Sequence, residues 1–182
     1  MNQEDGQEVA VGAGAAGWVL GPSDLLGAWT VARTIEDRLT GGPSRFDGRA
    51  TFTPQGDGLR YSEAGTLRLG EGASFAASRS YLWRWDGGCV EVRFSDGRPF
   101  HRFRPSGVGA GIDHPCGADL YRVAYDFTAW PAWEAAWTVT GPAKDYRMRA
   151  AYARAQGTCA TPSHAPQTGR QGTTGGPRWP ET

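Results

Sequence analysis

From Leu26 to Arg154 the chain alternates between inward and outward character with a period of two. In LGAWTVARTIED, Leu26 to Asp37, the residues Trp29, Val31, Arg33, Ile35 and Asp37 share one side, with small or polar residues between them. Successive side chains of an extended chain point to opposite faces, so this pattern predicts a half-buried strand. RFDGRATFTP repeats it with Phe46, Gly48, Ala50 and Phe52, and GLRYSEAGTLRL with Leu59, Tyr61, Glu63, Gly65 and Leu67. SFAASRSYLWRW aligns Phe75, Ala77, Arg79, Tyr81 and Trp83. CVEVRF, PFHRF, LYRVAYDF, AWEAAWTVTG and DYRMRAAYAR follow, giving about nine strands separated by turns rich in Gly, Asp and Pro. Consecutive antiparallel strands at this spacing predict an all-β, up-and-down barrel, because closure removes exposed edges. A β-sandwich is the competing architecture. One helical turn is expected at Ser23 to Leu26, capped by Ser23 or Asp24. The segment PSGVGAGIDHPCGA, Pro105 to Ala118, reads as a flexible loop at the rim.

The stretch FSDGRPFHRF, Phe94 to Phe103, sets a histidine beside aromatic residues just after an Asp-Gly pair. A two-residue turn at Asp96-Gly97 places Val92 opposite His101 and Val90 opposite Phe103. The same register sets Glu91 against Arg102 on the other face, a favourable cross-strand pair. His101 is therefore expected to point inward, and a slip of one residue would turn it out.

Arg33, Asp37, Glu63, Arg79 and His101 thus share inward faces with apolar residues. Burying charge costs several kcal/mol unless it is paired and hydrogen-bonded. Two readings follow: an internal ion-pair network, or a lined cavity in which an arginine faces a ligand. Tyr61, Tyr81, Trp83, Tyr121, Tyr125, Trp133, Trp137 and Tyr146 supply rings with apolar bodies and polar tips, the composition of a small-molecule site.

The length of 182 residues and hydrophobic content of 39% suit one domain. Its expected bounds are 23–154. The glycine-rich residues 1–22 and the polar, proline-bearing residues 155–182 read as disordered ends. Nineteen basic and 19 acidic residues leave no net charge, hence no electrostatic footprint for nucleic acid or an anionic membrane. No run approaches the apolar length of a spanning helix, and the acidic start MNQEDGQE is unlike a secretory leader, so a cytoplasmic protein is expected. Cys89, Cys116 and Cys159 are an odd, widely spaced set that reads as reduced thiols.

HPCGADLY brings His114, Cys116, Asp119 and Tyr121 within eight residues, but at no zinc-site spacing, so no metal is expected. His114 so close to Cys116 is a weak basis for a nucleophile and its base. Nucleotide-binding glycine loops and the G-x-S-x-G elbow are absent. Lys144 marks a hairpin tip.

Taken together, WTVARTIEDR, GRATFTP, GLRYSEAGTLRL, RSYLWRW, VRFSDGRPFHRF, HPCGADLYRVAYDF and WTVTGPAKDYRMRAAYAR resemble a family of small microbial and fungal domains near the lipocalin-like barrels. Gly27, Ala28 and Trp29 match the Gly-x-Trp of that wider group. The resemblance implies a ligand in the barrel mouth. Some relatives bind haem through a histidine and some are biosynthetic enzymes, although the glycine-rich extension of the haem binders is missing here. The leading expectation is a barrel that binds a small planar or acidic organic molecule, with no resident cofactor. Arg33, Arg79, Tyr61, Tyr81, Trp83, His114, Tyr121, Trp137 and Tyr146 would contact it. The alternatives are a small biosynthetic enzyme, with His101 as general acid/base supported by Asp37 or Glu63, and a haem barrel with His101 or His114 as axial ligand.

Overall fold

The computed structural model describes residues 18–39, 42–111 and 114–156. One four-residue helix, α1 (Pro22–Leu25), precedes eleven strands: β1 (Gly27–Asp37), β2 (Pro43–Gln55), β3 (Gly58–Leu69), β4 (Ser74–Asp86), β5 (Cys89–Phe94), β6 (Pro99–Phe103), β7 (Val108–Ala110), β8 (His114–Cys116), β9 (Asp119–Asp126), β10 (Trp133–Thr140) and β11 (Asp145–Arg154). All described pairings are antiparallel, in the order β6-β5-β4-β3-β2-β1-β11-β10-β9-β7. β8 follows β7 along the same edge of β9, opposite β10. The result is a nearly closed up-and-down barrel ten strands round.

The alternation works as expected along the long strands. On β1, Trp29, Val31, Arg33 and Ile35 are buried while Thr30, Ala32 and Thr34 are exposed. The loop expected at Pro105 to Ala118 instead supplies β7 and β8, each too short and too rich in glycine and proline to register as period two. Gly111 approaches both neighbours: a methyl group there would lie 2.5 Å from Val123 Cγ1 and 3.5 Å from the Arg102 carbonyl oxygen. No backbone ladder joins β6 to β7 among the described residues. Side chains close this seam from within, where the Phe103 and Tyr125 rings stack at 3.9 Å.

Two further expectations are corrected. The helix cap is Gly21, whose N–H donates to the Asp24 carboxylate at 2.7 Å, rather than Ser23 or Asp24 itself. The β5–β6 turn spans Ser95, Asp96 and Gly97, closed by Gly97 N–H to Phe94 O and Phe94 N–H to Arg98 O, both 2.9 Å. Only glycine takes positive φ in the described chain, and Gly97 does so at 89°, so the Asp96 conformation needed for a two-residue turn never forms. A bulge between Val92 and Arg93 then restores the register, leaving Val92 opposite His101 and Glu91 opposite Arg102. It also lets two consecutive residues, Phe100 and His101, face inward. Glu91 and Arg102 nevertheless bond elsewhere, to Arg93 at 2.8 Å and Asp86 at 3.0 Å.

The register of β1 on β11 runs from Trp29–Arg154 at one end to Asp37–Tyr146 at the other. The Trp29 end is plugged. Leu20 and Leu25 are buried there, Leu20 N–H donates to the Pro105 carbonyl at 2.9 Å, and Arg154 stacks 4.1 Å over the Trp29 ring. Two indoles complete the plug, Trp29 Nε1 donating to Leu25 O and Trp85 Nε1 to Leu20 O, each at 2.9 Å. Residues 18–22 therefore pack onto the barrel although the alternation only begins after them; residues 1–17 and 157–182 lie outside the described set.

Candidate functional site

The inward polar residues of β1, β3 and β4 meet at one carboxylate. Arg33 reaches Glu63 as a two-pronged fork, Nη1 to Oε1 at 2.7 Å and Nη2 to Oε2 at 2.6 Å. Arg79, directly opposite Glu63 in the β3–β4 register, adds Nε at 3.2 Å from Oε1 and Nη2 at 3.3 Å from Oε2. The Tyr61 hydroxyl, two residues along β3 and hence on the same face, donates to Oε2 as well. Tyr152 Oη lies 3.3 Å from Tyr61 Oη and accepts from Arg33 Nη2 at 3.4 Å. Burial alone would raise the Glu63 pKa, but Arg79, Arg33 and the Tyr61 hydroxyl outweigh it and hold the carboxyl at about 2. A fork of this kind is the strong form of ion pair. Its backing is a close approach of two strands: Gly48 and Gly65 face each other across β2 and β3, and a methyl group on either would lie within 3 Å of the Phe46 ring. That ring carries the Arg33 guanidinium 4.9 Å above its centre.

Beyond this cluster lies a cavity of about 20 Å³, lined by Tyr61, Arg79, Tyr81, Trp83, Val92, His101, Tyr125, Trp133, Ala135, Trp137 and Tyr152. Drug-sized ligands occupy pockets of roughly 300 Å³ or more, so the rings fill most of the interior that alternation alone suggests is open. His101 Nε2 lies 2.8 Å from Tyr125 Oη. Burial, with a smaller contribution from His114, lowers the His101 pKa to about 3, so the ring is neutral. Its Nδ1, together with Trp83 Nε1 and Trp133 Nε1, is buried without a hydrogen-bond partner among the described residues. Burying a polar atom unmet costs about 1–3 kcal/mol, so three such atoms on residues around one cavity demand a reason.

The remaining sequence-selected residues gather toward the end opposite the Trp29 plug. His114 on β8 is half-buried, 5.2 Å from the Phe100 ring centre, and faces Tyr121 in the β8–β9 register. Lys144 donates to Tyr121 Oη at 2.8 Å and pairs with Asp119 at 3.1 Å. Tyr146 packs against the core, its phenol pushed up by burial. Trp137 stacks on Phe100 at 5.4 Å. Asp37, at the end of β1, accepts from Leu39 N–H at 2.8 Å. Neither Asp37 nor Glu63 bonds the His101 ring; Tyr125 does. The side chain of Cys116, and the whole of Cys159, lie outside the described residues.

Tyr152 joins the site without having been selected from sequence. It stands at the far end of the inward row Tyr146, Met148, Ala150, Tyr152, so alternation could have found it. Tyr125 and Trp133 were visible as rings but not as partners of His101 and the cavity, which depend on closure. Haem does not fit this arrangement: His101 Nε2 is taken by Tyr125 and the cavity is far too small.

The barrel resembles solved structures at low identity. S-type phycobiliprotein lyase CPES from Guillardia theta superposes with a TM-score of 0.57 at 10% identity, covering 75% of this chain and 91% of the lyase. A protein of the DUF3598 family from Nostoc punctiforme gives 0.52 at 14% identity, covering 80% of this chain and 53% of the other, so the chain spans about half that protein's length. At such identities the likeness is one of fold. No curated protein matches the sequence at a significant level. The model of one family, described as a family of unknown function (DUF6314), matches residues 25–154, essentially the whole barrel, and the chain belongs to that family.

Proposed function

We propose that the barrel binds a small planar organic molecule among its interior rings. The observation that carries this reading is the position of Phe100. Its ring stacks on Tyr81 at 5.6 Å and 21° on one contact and on Trp137 at 5.4 Å and 14° on another. Phe100 is the residue the β6 bulge turns inward, beside the unpaired seam and near the β5–β6 tip. A planar guest taking the place of this ring would keep both stacks, worth about 0.5–1.5 kcal/mol each beyond burial. The Arg79 guanidinium, 5.7 Å above the Tyr81 ring centre, would meet an acidic group on that guest.

The catalytic alternative has less support. His101 bonds a phenol rather than a carboxylate, and a pKa of about 3 leaves it a weak base.

Phe100→Ala tests the reading. Removing the ring vacates the slot at a cost of about 3–5 kcal/mol in stability. The fluorescent probe anilinonaphthalene sulfonate should bind the folded variant at least tenfold more tightly than the wild type. Equal affinity in the two proteins, with the variant folded by circular dichroism, would count against binding in this slot.

A further inference from the structure

We infer that the cavity beside His101 is a subsite for an acceptor-only group, a carboxylate or comparable oxyanion, on the molecule that the barrel binds; this rests on the interior-binding reading above. The argument is a count of protons. Tryptophan nitrogen only donates, and Trp83 and Trp133, which both line the cavity, each carry an Nε1 hydrogen with no acceptor among the described residues. The third nitrogen depends on the tautomer of His101. Among the described residues the only hydrogen-bond partner of Tyr125 Oη is His101 Nε2, at 2.8 Å. The neutral imidazole and the phenol carry two hydrogens between them and share one hydrogen bond, so whichever tautomer forms, one hydrogen of the pair is left without an acceptor among the described residues.

Three donor hydrogens without an acceptor, and the Arg79 guanidinium, thus belong to residues that line this space. A single water is the bland occupant, and about 20 Å³ has room for one. It matches poorly, because its two lone pairs cannot serve three donors. A carboxylate has about four acceptor sites and no hydrogens. The contrast with the plug is direct: Trp29 and Trp85, equally part of the barrel, both reach backbone carbonyls at 2.9 Å. Hydroxyl or amine analogues would bring hydrogens to a wall of hydrogens and bind more weakly.

The test uses benzoate and benzyl alcohol, probes alike in ring and size that differ in whether the polar end carries hydrogen. The full chain, with tryptophan indoles labelled by nitrogen-15, is titrated with each and followed by two-dimensional NMR; Trp83→Phe and Trp133→Phe assign the two indole signals. Benzoate is expected to move both signals downfield and to bind at least tenfold more tightly than benzyl alcohol. Tyr125→Phe, which leaves His101 free to take either tautomer and so to present an acceptor to the cavity, should narrow that preference several-fold. Equal binding of the two probes in the interior would overturn the subsite and leave interior binding standing, whereas no effect of either on the interior indoles would overturn both. The ratio of the two affinities needs only the wild type, so the inference stays testable if a variant fails to fold.

Discussion

The plugged end of the barrel and the cavity at its centre are built from the same kind of residue to opposite effect. At the plug, the buried Trp29 and the half-buried Trp85 each satisfy an indole N–H on a carbonyl of the segment that covers them, while Arg154 lies across the Trp29 ring. In the cavity, Trp83 and Trp133 are 3% and 2% exposed, and their N–H groups have no hydrogen-bond partner among the described residues. The fold can satisfy a buried indole where the indole serves structure. Leaving two unmet beside His101 is a stability cost that natural cores carry chiefly where a function needs it. The Glu63 cluster, on the cavity's flank, shows the same point with charge: a carboxylate engaged by two guanidiniums and a phenol is built for permanence.

The comparison can be broken most severely at Glu63. Glu63→Ala strands Arg33 and Arg79 in the interior, and urea denaturation should show a loss of about 3–5 kcal/mol. Replacing Arg33 and Glu63 together by Met and Leu should recover part of it; a double variant as unstable as the single would mean that packing, not stranded charge, sets the cost.

Acid separates the two sites by window. The His101 pKa falls from 6.5 unfolded to about 3 folded, so as pH drops below 6.5 the unfolded chain takes up the proton first. Stability is level above 6.5 and declines by up to about 1.4 kcal/mol per pH unit from there toward 3. Glu63, at about 2 folded against 4.5 unfolded, contributes in full above 4.5 and loses that contribution between 4.5 and 2. Between pH 6.5 and 4.5 only His101 of this pair acts. Denaturation at pH 7, 6 and 5 should therefore show a slope that His101→Phe reduces; an unchanged slope would place the titrating group elsewhere.

The indoles give a finer contrast. Trp29→Phe and Trp85→Phe each leave a carbonyl without its donor, whereas Trp83→Phe and Trp133→Phe remove donors that had no partner. With ring volume lost equally, the plug variants should be less stable than the cavity variants by about 1 kcal/mol. Thermal or urea midpoints of the four would show it, and the reverse order would remove the distinction. Tyr125→Phe is the smallest change, about 0.5–1.5 kcal/mol for the hydrogen bond to His101, read by the same denaturation.

Much of this architecture was legible as period two, because the alternation of a strand is a local property of the extended chain. Arg33, Glu63, Arg79, Tyr61, Tyr81, Trp83 and Trp137 all face inward as the pattern requires. β7 and β8 were not legible, since three residues cannot display a period. The inward direction of His101 was reached by two departures that cancel: the turn is one residue longer than expected, and the bulge after Val92 takes up the difference. The sequence by itself determined which side chains of the long strands enter the barrel, while Phe100 enters only through the bulge. Which of them meet was decided only by closure, since Tyr125 and His101 stand 24 residues apart, and Arg33 and Tyr152 119 apart, on strands that alternation never relates. Size was decided there too. A row of inward rings predicts apolar walls, but whether the walls enclose a pocket or touch one another depends on how the rings interleave across the barrel, and here Phe100 stacks on both Tyr81 and Trp137, leaving only the small cavity beside His101.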